Sequence, residues 1–405
     1  MRHGMTWPVL PLALVAMLPL PRPTANNPHT QVVAVGRHHA CAVTLTGGVR
    51  CWGDNESGKL GDGTTTARLT PVDVKGLATG VVAVTAGGHF NCALTTGGSV
   101  QCWGDNAFGQ LGDGKQHSER STAKEVKGLA SGVAAVVAGG GHTCALTTGG
   151  GVRCWGLNEQ GQLGDGTKSN RTTPTDVAGL GSGVTGLAAG IAHTCAVTSA
   201  GGVKCWGAGG FGELGDGSRE QRTTPADVRG LESGVAAVAA HQSRTCAVTT
   251  EGGVKCWGGA PPSATTQVFD PITGTNSSST SNPSSASGPT DVPNLSKGVI
   301  AVVLGLDHTC ALTTEGGVKC WGSSRDGQLG DGKSATWRAT PGDVTGLASG
   351  VVAVAAGGDS SCAVTTDGTV KCWGSNSDGQ LGDGTRTYRT TPTDVTGLRA
   401  GGGKL

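Results

Sequence analysis

Fourteen cysteines set the chemistry open to this chain. Cys41, Cys92, Cys144, Cys195, Cys246, Cys310 and Cys362 each stand ten positions before a second cysteine: Cys51, Cys102, Cys154, Cys205, Cys256, Cys320 and Cys372. Each second cysteine opens the phrase Cys-Trp-Gly, and none is left over. Such pairs could ligate metal, cycle between thiol and disulfide, or cross-link the chain. Structural zinc sites place two cysteines roughly two to four residues apart and add further ligands, which these pairs lack. Steps between successive second cysteines are 51, 52, 51, 51, 64 and 52 residues. A fixed period of this length marks a solenoid or a propeller. Residues present in every unit are then architectural, and function is sought where the units differ.

Two further residue sets could do chemistry. His39, His142, His193 and His308 fall two residues before the first cysteine of their units, where Phe90, Arg244 and Ser360 stand elsewhere. A ring of histidines could hold a metal, but a position that also accepts Phe and Arg reads as turn support. Asp62, Asp113, Asp165, Asp216, Asp331 and Asp383 follow Leu-Gly in six units. They lack the alternating acids and distal Glu of a calcium loop and read as turn formers. No metal, cofactor or catalytic set is expected, and no enzyme.

The elements that position these residues can be read from one unit. Val133 to Val137 is an apolar run read as a buried strand, ended by Gly139-Gly140-Gly141. Thr143–Thr147 and Val152–Trp155 are strands joined by a turn at Thr148-Gly149-Gly150. Gly156 to Gly166 is dense in turn formers. Thr173–Val177 is an outer strand, where Pro174 suits an edge. Four short antiparallel strands in each of seven units give an all-β, seven-bladed β-propeller of four-stranded antiparallel blades. In such a hairpin Cys144 and Cys154 are directly opposed, with Cα atoms roughly 4.5–5.5 Å apart, within disulfide reach. Seven hairpin disulfides are therefore expected; the alternative is a reduced, buried cysteine pair.

Composition agrees. The 405 residues include 73 Gly and only 3% aromatics, which suits tight turns and closely packed strands. With 30 Lys and Arg against 29 Asp and Glu, nothing argues for nucleic acid or an acidic membrane. A basic residue precedes the second cysteine in six units: Arg50, Arg153, Lys204, Lys255, Lys319 and Lys371. An outer-strand acid recurs in all seven: Asp73, Glu125, Asp176, Asp227, Asp291, Asp343 and Asp394. Repeated ion pairs within blades are expected, rather than a cationic ring. Residues 1–25 read as a secretory signal peptide: Arg2 and His3 precede the apolar run Trp7 to Leu20, too short for a spanning helix. The rival is an uncleaved anchor. Residues 26–405 would form the propeller, secreted or at the cell surface, where cysteines oxidise.

The spaced motifs Gly-x-x-His-Thr-Cys-Ala-Leu, Gly-Val-x-Cys-Trp-Gly-x-Asn and Gly-Gln-Leu-Gly-Asp-Gly resemble the regulator of chromosome condensation repeat family over about residues 31–400. The resemblance implies a seven-bladed propeller in which one blade mixes strands from both termini, here Val32–Val35 with Thr391–Val395. It also implies that such propellers bind proteins. Founding members stimulate nucleotide exchange on a GTPase, and a secreted relative inhibits enzymes. Either is an alternative reading, though no exchange residue can be matched. Light sensing, which one branch performs with clustered Trp, is not expected, because seven of the nine Trp belong to the repeat.

Symmetry breaks twice. The fifth interval loses its Gly-x-Leu-Gly-Asp-Gly turn to a Ser/Thr/Pro-rich insertion, residues 258–290, that contains Phe269 and Ile272. It is either a tolerated insertion or a recognition loop. The sixth interval carries Trp337-Arg338. Phe269, Ile272, Trp337 and Arg338 are the candidate contacts of a non-catalytic exported interaction scaffold. Its partner would be a protein or cell-surface ligand, bound by a monomer without a membrane span.

Overall fold

The computed structural model describes residues 32–259 and 288–400, with the paired backbone of Gln267–Phe269 and Asn276–Ser278. Seven four-stranded antiparallel sheets form a β-propeller, and no helix occurs among the described residues. Blade 3 represents the rest: an inner strand Val133–Ala138, a second His142–Thr147, a third Val152–Gly156 and an outer Arg171–Asp176. Inner strands are short runs of Val and Ala buried between neighbouring blades. Outer strands carry Thr, Pro and charge and stay half-exposed.

Every cysteine pair lies in register across its hairpin, as Cys144 opposite Cys154 shows. All seven bridges form, with Cα atoms 4.0–4.1 Å apart, and no cysteine is free. That spacing is somewhat shorter than the roughly 4.5 Å of the closer class of opposed antiparallel pairs. The zinc and reduced-thiol alternatives fall away. The expected ion pairs also form between third and outer strands, from Arg50–Asp73 at 2.8 Å to Lys371–Asp394 at 2.5 Å. Their acids are largely exposed, so each adds little stability.

Ring closure differs from the expectation. No blade mixes the termini. Val33–Val35 pairs within blade 1, and the C-terminal strand Arg389–Arg399 is the outer strand of blade 7. The unit begins on an inner strand and ends on an outer one, so seven whole units leave no strand to exchange. Packing closes the ring instead, with a single bridge between Thr44 and Ala400.

Blades are held to one another by a repeated latch. In six of the seven blades the indole N–H of the third-strand tryptophan donates to a backbone carbonyl in the turn of the preceding blade. Trp155 reaches Gln110 O at 2.9 Å, and Trp206 reaches Gln162 O at 2.9 Å. Trp103, Trp257 and Trp373 do the same to Lys59, Glu213 and Gln328. Trp52 closes the circle on Gln380 O at 2.8 Å. The turn's leucine is buried, and its glycine lies against the indole. At Gly164, φ is +70° and a Cβ would stand 2.6 Å from Trp206 Nε1. That residue must be glycine for two reasons, left-handed backbone and contact.

Gly179 has a similar φ, +72°, but nothing within 4 Å. Gly179→Ala is expected to cost about 1 kcal/mol, the backbone strain alone. Gly164→Ala is expected to add an overpacking cost of about 1–3 kcal/mol. Denaturant melts of both variants measure the difference. Cys256 is the one partly exposed cysteine, so limited reduction followed by alkylation and peptide mapping is expected to label Cys246 and Cys256 before any other pair.

Candidate functional site

Antiparallel connections divide the ring into two faces. The hairpins between second and third strands lie on one. The inner-to-second and third-to-outer loops lie on the other, here called the loop face. The third-to-outer loop is built by a side-chain scaffold. In blade 3, Asn158 Oδ1 accepts from Leu163 N at 2.9 Å, and its Nδ2 donates to Thr167 O and Ser169 O. Asp165 accepts from Thr167 and from Arg171. Burial alone would raise the Asp165 carboxyl, but the Thr167 and Arg171 hydrogen bonds outweigh it and hold it below the ordinary value. Asp62, Asp113, Asp216, Asp331 and Asp383 pair likewise with Arg68, Arg120, Arg222, Arg338 and Arg389. These acids are turn formers, as expected, and each also anchors an arginine the sequence reading did not connect to it.

That pairing corrects the reading of Trp337-Arg338 as one symmetry-breaking unit. Arg338 is the repeat's arginine. It donates to Asp331 at 3.2 Å, to Cys320 O at 2.7 Å and to Gly342 O at 3.1 Å. Trp337, next to it on a strand whose side chains alternate, is 50% exposed. Aligning the residue before each such arginine gives Ala67, Glu119, Asn170, Gln221, Trp337 and Tyr388. Tyr388, also 50% exposed, was missed, and this alignment would have found it. The two aromatics flank one turn. Trp337 pairs with Ser323. Gly327 of the following turn packs on Thr390 and Arg389, next to Tyr388.

Ile191 and Phe211 are exposed on the loop face as well, and among the described residues Leu45 alone of the exposed large apolar side chains is on the hairpin face. The Asp359 carboxyl is pushed up by burial and by Asp326 and Asp307, and accepts from Gln328 Nε2 at 3.2 Å. The side chain of Phe269, Ile272, and residues 1–25 lie outside the described residues.

The histidines are structural in a way only half foreseen. Each ring packs on the glycine of its own turn: a Cβ on Gly139 would meet His142 at 2.3 Å. Its Nε2 reaches across to the next blade. His142 meets Thr194 Oγ1 at 2.9 Å and His193 meets Thr245 Oγ1 at 2.9 Å. Thr194 gives its own hydrogen to Gln162 O, so His142 Nε2–H must be the donor. Burial lowers these histidines, His142 to about 4 and His193 to about 3. His39 and His308 are also lowered to about 3. Among the described residues no group of three or more His, Cys, Asp or Glu could hold a metal. A buried cation was missed too. Lys59 stands where other units carry Gln or Glu, is fully buried, bonds Asp54 and lies 3.2 Å from His89 Nδ1.

The central cavity, about 200 Å³, is lined by Val, Ala, Leu and Ile of the inner strands, with Thr85 and His241 its only polar side chains. The fold is of the propeller class, built from repeats that latch end to end.

A family model described as the RCC1-like domain matches residues 15–267. Models of the regulator of chromosome condensation (RCC1) repeat match 299–328 and 351–380, and 315–364 and 367–402. The chain belongs to the RCC1-like family. It is similar to the ultraviolet-B receptor UVR8 of Arabidopsis thaliana, 30% identical over 394 residues that cover 94% of this chain and 84% of the receptor. It is 32% identical over 367 residues to the E3 ubiquitin-protein ligase HERC2 of Homo sapiens, covering 88% of this chain but 7% of that protein. The fold is shared with yeast RCC1 (Prp20) bound to Kap60, TM-score 0.71 at 21% identity, covering 87% of this chain and 85% of that one. Human WBSCR16 gives TM-score 0.70 at 24% identity, with 86% and 94% covered.

The lowered histidines fix a direction of pH dependence. The unfolded chain takes up a proton at His193 near its ordinary value of 6.5, whereas the folded chain does so only at about 3. The stabilisation is complete above pH 6.5 and is lost as pH falls towards 3, at roughly 2–3 kcal/mol for one such histidine by pH 4.5. His193→Gln, less stable at pH 7, is expected to lose less stability than the parent between pH 7 and pH 4.5, measured by denaturant melts at each pH.

Proposed function

We propose that the chain is a non-catalytic, exported scaffold that binds a protein partner through the loop face. The observation that carries this reading is the concentration, among the described residues, of Ile191, Phe211, Trp337 and Tyr388 on that face, against Leu45 alone on the other. Aromatic side chains supply large contact area at low entropic cost and dominate interface energies. Among the described residues the wall of the central cavity carries no acid–base pair. Seven bridges confined to single blades suit an oxidising compartment, and export through residues 1–25 is part of the proposal. The yeast RCC1 structures name Kap60, and Gsp1p and histones, as partners of that protein; a protein partner here is the analogous reading. The Phe269 and Ile272 loop is a further proposed contact.

The test is affinity capture from the extracellular fraction with residues 26–405 as bait, followed by titration of the captured partner. Trp337→Ala and Tyr388→Ala are each expected to weaken binding by about tenfold or more with unchanged melting, while Leu45→Ala does not. Arg338→Ala is expected to lower the melting point. If the Trp337 and Tyr388 variants both bind within about twofold of the parent, the loop face at blades 6 and 7 is not the interface.

A further inference from the structure

The junction between blades 5 and 6 lacks the part that locks the other six. The sequence between Gly258 and Pro289 contains no Gly-x-Leu-Gly-Asp-Gly turn. At the other junctions that turn presents one carbonyl to the next blade's indole, and it buries Leu60, Leu111, Leu163, Leu214, Leu329 or Leu381 to 1% exposure or less. Trp321 of blade 6 therefore meets different surroundings. It is partly exposed, whereas Trp52, Trp103, Trp155, Trp206 and Trp373 are fully buried. Among the described residues no carbonyl receives its Nε1.

Three neighbours share the change. Cys256 is partly exposed. The outer strand of blade 5 is cut to Thr290–Asp291, so the third strand is paired only at Lys255 and Cys256. Thr309 occupies the place of Thr143, Thr194 and Thr245, whose hydroxyls donate to the preceding turn's carbonyl. Thr309 instead receives Arg244 Nη1 at 3.4 Å, and Arg244 also caps Gly305 O, Leu306 O and His308 O. The arginine holds the two blades together from the inner side and leaves the indole edge uncovered by any described residue.

We propose that this junction is a turn-binding slot that takes an apolar-Gly β-turn from a partner protein. The apolar side chain would enter against Trp321 and Cys256, and the backbone carbonyl before it would receive Trp321 Nε1–H and the Thr309 hydroxyl. The chemistry of the occupant is defined by six equivalent interfaces in the same chain, and the slot continues that series. It opens on the loop face, where third-to-outer connections emerge, so the proposal rests on and deepens the reading of that face as the binding surface.

The probe is a cyclised peptide of residues 158–167, the turn that covers Trp206, added to the full chain and read by the indole N–H signals in NMR. The Trp321 signal is expected to shift saturably while that of Trp206 stays. Leu163→Asp in the peptide is expected to weaken binding by about tenfold or more, and Trp321→Phe in the protein, titrated through the signals of the labelled peptide, to do so without changing the melt. Equal binding of the Leu and Asp peptides, or no saturable shift at Trp321, overturns the slot. A second protein, with 260–287 replaced by Gly and Ser at equal length, separates occupants. Unchanged peptide affinity supports a slot open to a partner; binding seen only in that variant overturns it, because the chain then fills its own slot. Failure here leaves the loop-face reading standing, since that is judged by Trp337 and Tyr388 against the captured partner.

Discussion

The propeller depends on a contact between an indole and a turn. A blade of this chain cannot bury both faces of its sheet alone. It is small, rich in Gly and Ala, and its largest side chain is the tryptophan of its third strand. Only the preceding blade's turn covers that side chain. The turn can do so because a left-handed glycine lets backbone lie against the ring, with a carbonyl aimed at the ring nitrogen. An indole N–H buried without an acceptor would cost about 1–3 kcal/mol, so each blade demands a predecessor. Among the described residues six of the seven seams meet that demand, and the ring closes where the last turn, at Gln380, covers the first tryptophan, Trp52. This is why the ring closes without exchanging a strand between its termini.

The other repeated devices act within blades or support the latch. Each disulfide closes a short hairpin loop and acts mainly by restricting the unfolded chain, about 3 kcal/mol or less for loops of this length. None joins two blades. The Lys–Asp and Arg–Asp pairs on the outer strands face solvent and contribute little. The Asp–Arg pairs of the turns are more enclosed, and they hold the loop that carries the latch. The neutral histidines add a second inter-blade hydrogen bond, to Asn91, Thr194, Thr245 or Ser361; for His142 and His193 the donor is set by a threonine already committed to the latch carbonyl. These features converge on one place, the seam between a turn and the next blade.

A ring built this way puts its variation on one face. The hairpin face is made of two-sided turns that every unit repeats. The third-to-outer loops tolerate different residues so long as Asn, Asp, Leu-Gly and Arg keep their places. Aromatic side chains at Phe211, Trp337 and Tyr388 exploit that tolerance, and so does the long insertion in blade 5. The fifth blade departs furthest: it loses its turn, most of its outer strand and its inter-blade histidine together. Arg244 compensates on the inner side by gathering three carbonyls of blade 6.

Much of this was legible in the residues alone. The ten-residue cysteine spacing, the period near 51 residues and the alternation of apolar runs with Gly-rich turns specify hairpins, blades and disulfides, because those are local relations between residues close in sequence. The ion pairs were legible for the same reason, once strand order was known. What the tertiary structure alone decided lies across seams. That Trp155 bonds Gln110, 45 positions earlier, and Trp52 bonds Gln380, 328 positions later, cannot be read from a pattern within one unit. Nor could it be read that His142 serves the next blade, that Arg338 is claimed by Asp331 while Trp337 beside it faces solvent, or that Tyr388 is exposed. Every unit carries nearly the same local signals, so local signals cannot say which unit covers which. Only packing one blade against the next assigns each side chain to a seam or to the surface.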